Sequence, residues 1–483
     1  MSEIRKIAHN TMIQIIGKAL TIGLALISFG LIARYLGQTG FGHFSTIYAY
    51  MAIFGILIDL GLQMTTTKLI ADPKEDEAKI INNALGLRLS SSLIFLTIAA
   101  GTAWLMPYET IVKIGIIIAI VGFTSAALTT VLTSHFQKNL TMHRMVAAEL
   151  AGKIISLLLI IAAIYYNLGL LGIITAAMLD SFIILAVAWR FGSRKLKLAL
   201  NFDWAVWKKI IGITWPIGVT IALNLIYFKG DIFIMSLLRS PEEVGLYGAP
   251  YRVLEVLINL IYLILGLLLP IMAGAWATNN PAKLKKMIQG GFDFLIILAV
   301  PMIVGGYFVG RPLMSLVAGP EFALSGEIIK ILLLATGAIF IAGLFGYAIV
   351  AIDRQKQMIK FYAINAAVAI IGYVYFIAKY SYWGAAWMTV VTEIFILLST
   401  MYVIKKEINF LPSIKIVLKS LAASLAMIIP LVFLSQLNFL ILIILGAAVY
   451  FVILYLLKAF DKKMILEMIR VNQVNKAIEL IKR

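Results

Sequence analysis

Fourteen runs of about twenty apolar residues, set apart by short polar stretches, decide what this chain of 483 residues can fold into. They lie at about 12–35, 43–68, 84–106, 111–134, 145–166, 169–190, 210–238, 248–275, 289–310, 327–351, 361–378, 384–403, 418–434 and 439–457. A β-barrel strand needs only about ten residues of alternating character. Leu93 to Met106 and Ile114 to Val121 are apolar on every side, so the runs are helices. Composition agrees: 62% of residues are apolar and 13% charged, against roughly 45–50% and about 25% in a soluble domain. A soluble fold this apolar would lack the polar residues to cover its surface, so the excess faces lipid. The expected fold class is all-α integral membrane, with about fourteen transmembrane helices.

The first run carries Lys18 and ends at Arg34-Tyr35-Leu36-Gly37 with no small-residue cleavage pattern, so it is expected to be retained rather than removed as a signal peptide. The longest outer loop is Arg311 to Gly326, about sixteen residues. No stretch outside the membrane is expected to fold as a catalytic domain, and none is expected at either end.

Charge gives the orientation. The chain has 41 Lys and Arg against 23 Asp and Glu, a net of +18. Lys18, Lys153 and Lys229 lie deep within runs; of the other 38, the odd-numbered faces collect 31 and the even-numbered faces 7. Basic residues collect on the cytoplasmic side, so both termini are expected there, in a multi-pass protein of the cell membrane. Loop topology accounts for the basic excess, and nucleic acid is not expected as a partner. With no cysteine, disulfides, thiolate metal sites and cysteine nucleophiles are excluded.

The broadest internal polar stretch, 191–209, holds Arg194, Lys195, Lys197, Lys208 and Lys209 and divides the runs six and eight. The expected organisation is an N-terminal lobe at 1–190, a basic cytoplasmic linker at 191–209, a C-terminal lobe at 210–403, two appended helices at 404–457 and a basic amphipathic tail at 458–483. Each half begins alike, with Gly40-Phe41-Gly42-His43-Phe44 in the first and Val244-Gly245-Leu246-Tyr247-Gly248 in the second. That suggests an internal repeat of two pseudo-symmetric six-helix lobes, as two-lobed transporters have. Pro216, Pro270 and Pro301 are candidate bends, fixed or hinged. The tail has apolar residues at roughly helical spacing among basic ones, either a surface helix on the anionic inner leaflet or a solvated tail.

An ionisable side chain deep in a span costs about 2.5–3.5 kcal/mol on insertion scales, so those retained face a cavity or one another. The basic members are Lys18, Arg34, Lys229 and Arg252; the acidic members are Asp59, Asp180, Asp231, Glu255 and Glu393. Arg252 and Glu255, three apart, share a helix face and are expected to meet Lys229 and Asp231 across the bundle, with Arg34 at a similar height. Alternatively Arg34 and Arg252 snorkel to the interface. Asp180 and Glu393, near the middle of spans six and twelve, are either protonatable coupling sites or neutral acids bridging helices.

Enzymes and pumps find little support. The histidines His9, His43, His135 and His143 form no metal-ligand pair at i,i+4, and no Walker lysine, HExxH or GxSxG motif occurs. No catalytic residue, metal or cofactor is expected, and a driving force would be an H+ or Na+ gradient, the membrane potential or the substrate gradient.

Four places resemble the polysaccharide repeat-unit (O-antigen type) flippases of the multidrug/oligosaccharidyl-lipid/polysaccharide (MOP) exporter superfamily. They are Arg34-Tyr35-Leu36-Gly37 with Gly40-Phe41-Gly42; Asp59-Leu60-Gly61; Asp231 ahead of Val244-Gly245-Leu246-Tyr247 and Arg252; and the Asp353-Arg354-Gln355-Lys356 turn. The resemblance implies a two-lobed bundle that alternates between inward- and outward-open states and carries a polyprenyl-pyrophosphate-linked oligosaccharide to the outer leaflet. Lys18, Arg34, Lys229 and Arg252 would then serve the pyrophosphate, and Tyr227, Tyr247 and Tyr251 would stack on sugars or sit in the lipid belt. Membrane lipids and other polysaccharide-assembly proteins are the implied partners. Two relatives remain alternatives, a cation-coupled multidrug antiporter and the peptidoglycan-precursor flippase. A membrane glycosyl polymerase or ligase would need a larger external loop.

Overall fold

The computed structural model describes residues 3–194 and 196–459; Lys195 and most of the expected tail, 460–483, lie outside the described residues. Thirteen α-helices follow one another among those residues: α1 (Glu3–Asp59), α2 (Leu62–Ala71), α3 (Glu77–Ala103), α4 (Thr110–Lys138), α5 (Met142–Tyr165), α6 (Gly169–Gly192), α7 (Trp204–Leu238), α8 (Pro241–Ala277), α9 (Pro281–Val317), α10 (Ser325–Ala351), α11 (Ile359–Ile408), α12 (Lys415–Phe433) and α13 (Phe439–Leu456). Two 3-10 turns, Pro320–Leu324 and Gln355–Met358, precede α10 and α11, and no strand occurs among the described residues.

Two of the helices are double. α1 changes direction at Gly37, where φ is 64° and ψ −174°, a backbone region that only glycine enters freely. α11 divides at Ser381. With those breaks counted, each of the fourteen apolar runs coincides with a helical stretch, the second continuing past the Leu60–Gly61 turn into α2. Eleven helices or joined pairs among the described residues are long and apolar enough to span a bilayer. Helix continues through Pro216, Pro270 and Pro301, so the interruptions fall at glycine and serine rather than at proline.

The helix starts follow from capping chemistry. Asp76 Oδ1 accepts from the Ala78 and Lys79 amides at 2.8 and 3.2 Å, Asp203 Oδ1 from Ala205 at 3.0 Å, and Asn438 Oδ1 from Leu440 at 2.9 Å. Each satisfies amide donors that have no partner within their own helix. Many apolar side chains along the spans point outward: Leu158 is 60% exposed, Ile371 71% and Ile444 67%. In water such a surface would aggregate; in a bilayer it is the solvated one.

The helices form two compact units. Unit 1 holds the chain up to Leu263 with Met314–Ile328 and Ile359–Thr392; unit 2 holds Ile264–Leu313, Ile329–Met358 and the chain from Glu393 on. In unit 1, α4 and α5 both pack on α6, and α1 packs on α5 and α7. Leu69, Ile81, Leu85, Leu132, Phe136 and Ile210 are among its core residues. Unit 2 has its own core of Met427, Leu431, Tyr450 and Leu454 on the paired α12 and α13, where the Tyr450 hydroxyl donates to the Ile297 carbonyl at 2.9 Å.

The two repeated glycine-aromatic segments lie against each other in unit 1. A Cβ placed on Gly42 would stand 1.6 Å from the Pro241 carbonyl oxygen, and one on Gly245 2.0 Å from that of Gln38. Only hydrogen fits there, so the second half of α1 and the start of α8 touch backbone to backbone, as apolar helices do in lipid. Around this contact Gln38 donates to the Glu321 carbonyl, Arg239 to the carbonyls of Ile377 and Ala378, and Ser381 to Glu243.

At the other end of unit 1 side chains make the closure. Glu77, at the start of α3, receives His135 Nδ1 at 2.6 Å, Asn139 Nδ2 at 3.1 Å and the Lys138 ammonium. Asn82 and Asn83 bind the linker, with Asn82 Nδ2 donating to the Lys197 carbonyl at 2.9 Å and Asn83 Oδ1 accepting from the Asp203 amide at 2.8 Å. The expected basic linker is therefore docked on α3 along its second half.

Candidate functional site

Within unit 1 a cavity of 140 Å³ opens between α1, α7 and α8, lined by Ser45, Tyr48, Phe123, Lys229, Tyr251, Arg252 and Glu255 among others. Its charged members form one clasp. Glu255 accepts from the Lys229 ammonium through Oε1 and from Arg252 Nη1 through Oε2, the latter at 3.0 Å. Arg252 and Glu255 sit one turn apart on α8, and Lys229 comes from α7. Aromatic rings fix the two cations: Lys229 Nζ lies 5.3 Å from the Phe228 ring and 5.4 Å from that of Tyr251, and the Arg252 guanidinium 5.1 Å from Tyr48. With two cations and one carboxylate the clasp by itself carries net charge +1, and the buried Asp231 carboxyl lies near enough for its charge to act on Lys229. A low-dielectric site with surplus positive charge attracts anions.

Of the four expected cations, this cavity gathers two. Lys18 lies on α1 beside Glu149 of α5, 3.4 Å away and half exposed. Arg34 donates to the Leu316 carbonyl near the end of α9, closing a helix terminus rather than lining the cavity. Arg34 is bound to backbone and Arg252 to Glu255.

The expected acids separate in the same way. Asp59 pairs with Arg88, a fully buried residue of α3 that also donates to the Ile58 carbonyl and to Thr130 Oγ1, and so holds the broken end of α1. Asp180 on α6 pairs through Oδ2 with Lys153 of α5, while its Oδ1 is buried with no hydrogen-bond partner. Asp231 is buried below the clasp; it does not join Lys229 in an ion pair but accepts the Tyr247 hydroxyl at 2.7 Å. Tyr247 in turn meets Thr389 Oγ1 at 3.1 Å, and Tyr373 meets the same hydroxyl at 3.2 Å. Glu393 is buried on α11, in unit 2. Tyr227, Tyr247 and Tyr251 are all buried, at 4%, 0% and 6% exposure, which removes them from a lipid-facing belt.

Three charged residues outside the expected set prove to be the partners of those within it: Arg88, Glu149 and Lys153. Lys153 is visible in the sequence as a lysine deep in the fifth run, one of three. Arg88, four residues into the third run, passes for a loop charge. Both are on helices whose facing partners, Asp59 and Asp180, are far off in sequence.

A cavity of 610 Å³ in unit 2, lined by Phe308, Pro312, Leu431, Leu437, Phe439 and neighbours, offers no charged side chain. No group of three or more His, Cys, Asp or Glu able to hold a metal occurs among the described residues.

The family described as polysaccharide biosynthesis protein matches residues 7–276, more than half of the chain. A protein of Shigella dysenteriae, provisionally assigned as an O-antigen transporter, is 20% identical over 387 residues, which is 77% of this chain and 93% of the relative. Two solved structures share the fold. Lipid II flippase MurJ in an inward closed conformation has a TM-score of 0.76 at 16% identity, over 91% of this chain and 97% of that one. An inward-facing multidrug resistance transporter of the MATE family, in the MOP superfamily, has a TM-score of 0.61 at 13% identity, over 78% of this chain and 92% of that one.

Proposed function

Since the chain belongs to the polysaccharide biosynthesis protein family, we propose that it is a flippase of the MOP superfamily carrying a polyprenyl-(pyro)phosphate-linked oligosaccharide from the inner to the outer leaflet. The observation that carries this reading is the clasp: two cations from neighbouring membrane helices, held by rings at the wall of one cavity, with net charge +1. A phosphate-bearing headgroup meets its largest barrier where water is scarce, and fixed cations replace the hydration it loses there. The prenyl chain needs no such help and stays in lipid.

In this reading the lobes at 1–190 and 210–403 alternate about the site, the helices of 404–457 are appended, and both termini face the cytoplasm, as the basic loops require. Asp180 or Glu393 would couple transport to H+ or Na+. Asp180 is the better placed, because Oδ1 is a buried acceptor with no hydrogen bond of its own. The finished glycan would pass to other polysaccharide-assembly proteins outside. A cation-coupled multidrug antiporter would need acids open to a cationic drug. Asp59 and Asp180 already hold Arg88 and Lys153.

Removing one partner of a desolvated charge pair costs about 2 kcal/mol or more, roughly thirtyfold in binding. Lys229→Ala should therefore abolish delivery of lipid-linked glycan to the outer leaflet in a strain lacking the wild-type gene, with the variant present in the membrane at normal level. Normal delivery by that variant would end the proposal. The glycan that accumulates on the inner leaflet identifies the substrate and separates an oligosaccharide flippase from a peptidoglycan-precursor flippase.

A further inference from the structure

The clasp already contains an anion, and it is the protein's own. Glu255 divides its two oxygens between the two cations, Oε1 to Lys229 and Oε2 to Arg252, so each cation already faces a carboxylate oxygen. A phosphate presents oxygens to paired cations in a similar two-point manner, and among the residues lining the cavity there is no third cation to receive it. Added beside Glu255, it would place two anions in contact at low dielectric, which is unfavourable.

We infer that Glu255 is a built-in substitute for the substrate's phosphate, which gains Lys229 and Arg252 by displacing the carboxylate and is later expelled by its return. This rests on reading the clasp as a phosphate site. The cations have a second hold besides Glu255, because Phe228 and Tyr251 flank Lys229 and Tyr48 lies under Arg252. Glu255 itself can swing: it is on the same face of α8 as Arg252, one turn away, and the cavity lies beside it. Aromatic contacts thus hold geometry while the carboxylate holds charge, and the second can leave without the first collapsing. Exchange of one anion for another keeps the number of ion pairs constant in a site with little water. A receptor that had to desolvate two bare cations on every release would bind once and stay bound. The carboxylate therefore lowers affinity and speeds release, a trade that suits a carrier more than a receptor.

The test uses detergent-solubilised full-length protein and inorganic pyrophosphate as the probe, measured by titration calorimetry. Glu255→Gln keeps the shape and removes the competing charge, so it should bind pyrophosphate at least about tenfold more tightly than wild type, while Glu255→Asp stays near wild type. Equal or weaker binding by Glu255→Gln, with wild type binding measurably, overturns the substitute role and leaves the phosphate reading intact. No binding by either protein overturns both. If Glu255→Gln cannot be purified, the wild type decides alone. A water-soluble carbodiimide with an amine nucleophile, read by mass spectrometry, should label Glu255 several-fold more in the presence of saturating pyrophosphate than in its absence; unchanged or reduced labelling overturns the inference.

Discussion

The two ends of unit 1 are held shut by different physics. At the Gly37 end, Gly42 and Gly245 let α1 and α8 meet backbone to backbone, with carbonyl oxygens where side chains would otherwise be. At the Glu77 end, ion pairs and amide side chains do the joining, with Glu77 alone receiving three partners. The first kind of contact is dispersion at short range and carries no charge, so pH and salt hardly reach it, but one methyl group would break it. The second tolerates changes of volume and depends on protonation and ionic strength. A bundle that opens alternately at its two ends, as proposed, therefore has one end set by shape and one set by charge. Solution conditions should move the second more than the first, where the titrating pair beside Gly42 is His43 with Glu109 at 3.5 Å.

The largest effect is expected at the glycine end. Gly42→Val would drive two methyl groups into the Pro241 carbonyl, and forced overpacking of this kind costs about 3 kcal/mol or more. The variant should show a sharply lowered thermal midpoint in detergent, equally at low and high salt. A midpoint near wild type would mean that the backbones are not in contact in the membrane.

Next comes the buried cation at the opposite end. Arg88→Ala leaves Asp59 and the Ile58 carbonyl without their donor. Breaking a buried pair costs 3–5 kcal/mol when the remaining charge is sealed in, but Asp59 is 43% exposed and partly rehydrates, so about 2 kcal/mol is expected. Adding Asp59→Asn should recover part of that loss in the same thermal assay. If the double variant falls by the full sum of the two singles, Arg88 and Asp59 do not interact and Arg88 serves the helix end alone.

What the sequence disclosed follows from what lipid enforces. A bilayer demands apolar runs of fixed length, so the positions of all fourteen helical stretches were legible, as was the i,i+3 pairing of Arg252 with Glu255 on one helix face. The meeting of Lys229 with that pair also followed, because both residues lie at comparable depth on consecutive helices. Pairings between distant helices were not legible. Lys153 and Asp180 are 27 residues apart and Arg88 and Asp59 29, and nothing in either run fixes the rotation that makes them face. Arg34 is the instructive case. Its depth made it a cavity residue on paper, yet a helix terminus some 280 residues on had unsatisfied carbonyls and took its guanidinium. Asp231 likewise had a tyrosine within reach on α8 and hydrogen-bonds to it, while Lys229 acts on it only through its charge.

The smallest predicted effect probes charge at the Glu77 end directly. Glu77 stands in the polar segment between the second and third apolar runs. Burial pushes its carboxyl up, but hydrogen bonds and charge from Lys138 and His135 more than reverse this and hold it below its ordinary value near 4.5. The folded protein thus gives up this proton more readily than the unfolded chain, so stability rises with pH across the interval between the two values. The contribution is complete above about pH 5 and fades as pH falls through the folded value, and partial exposure keeps it under about 1 kcal/mol. Glu77→Gln should accordingly lower the thermal midpoint by a few degrees at pH 7, with the gap to wild type closing as the pH is lowered below 4.5. In a Gly42→Val background the same dependence on Glu77 should persist, because Glu77 and its partners take no part in the glycine contact; its disappearance there would show that the two ends are one cooperative unit rather than two separate closures.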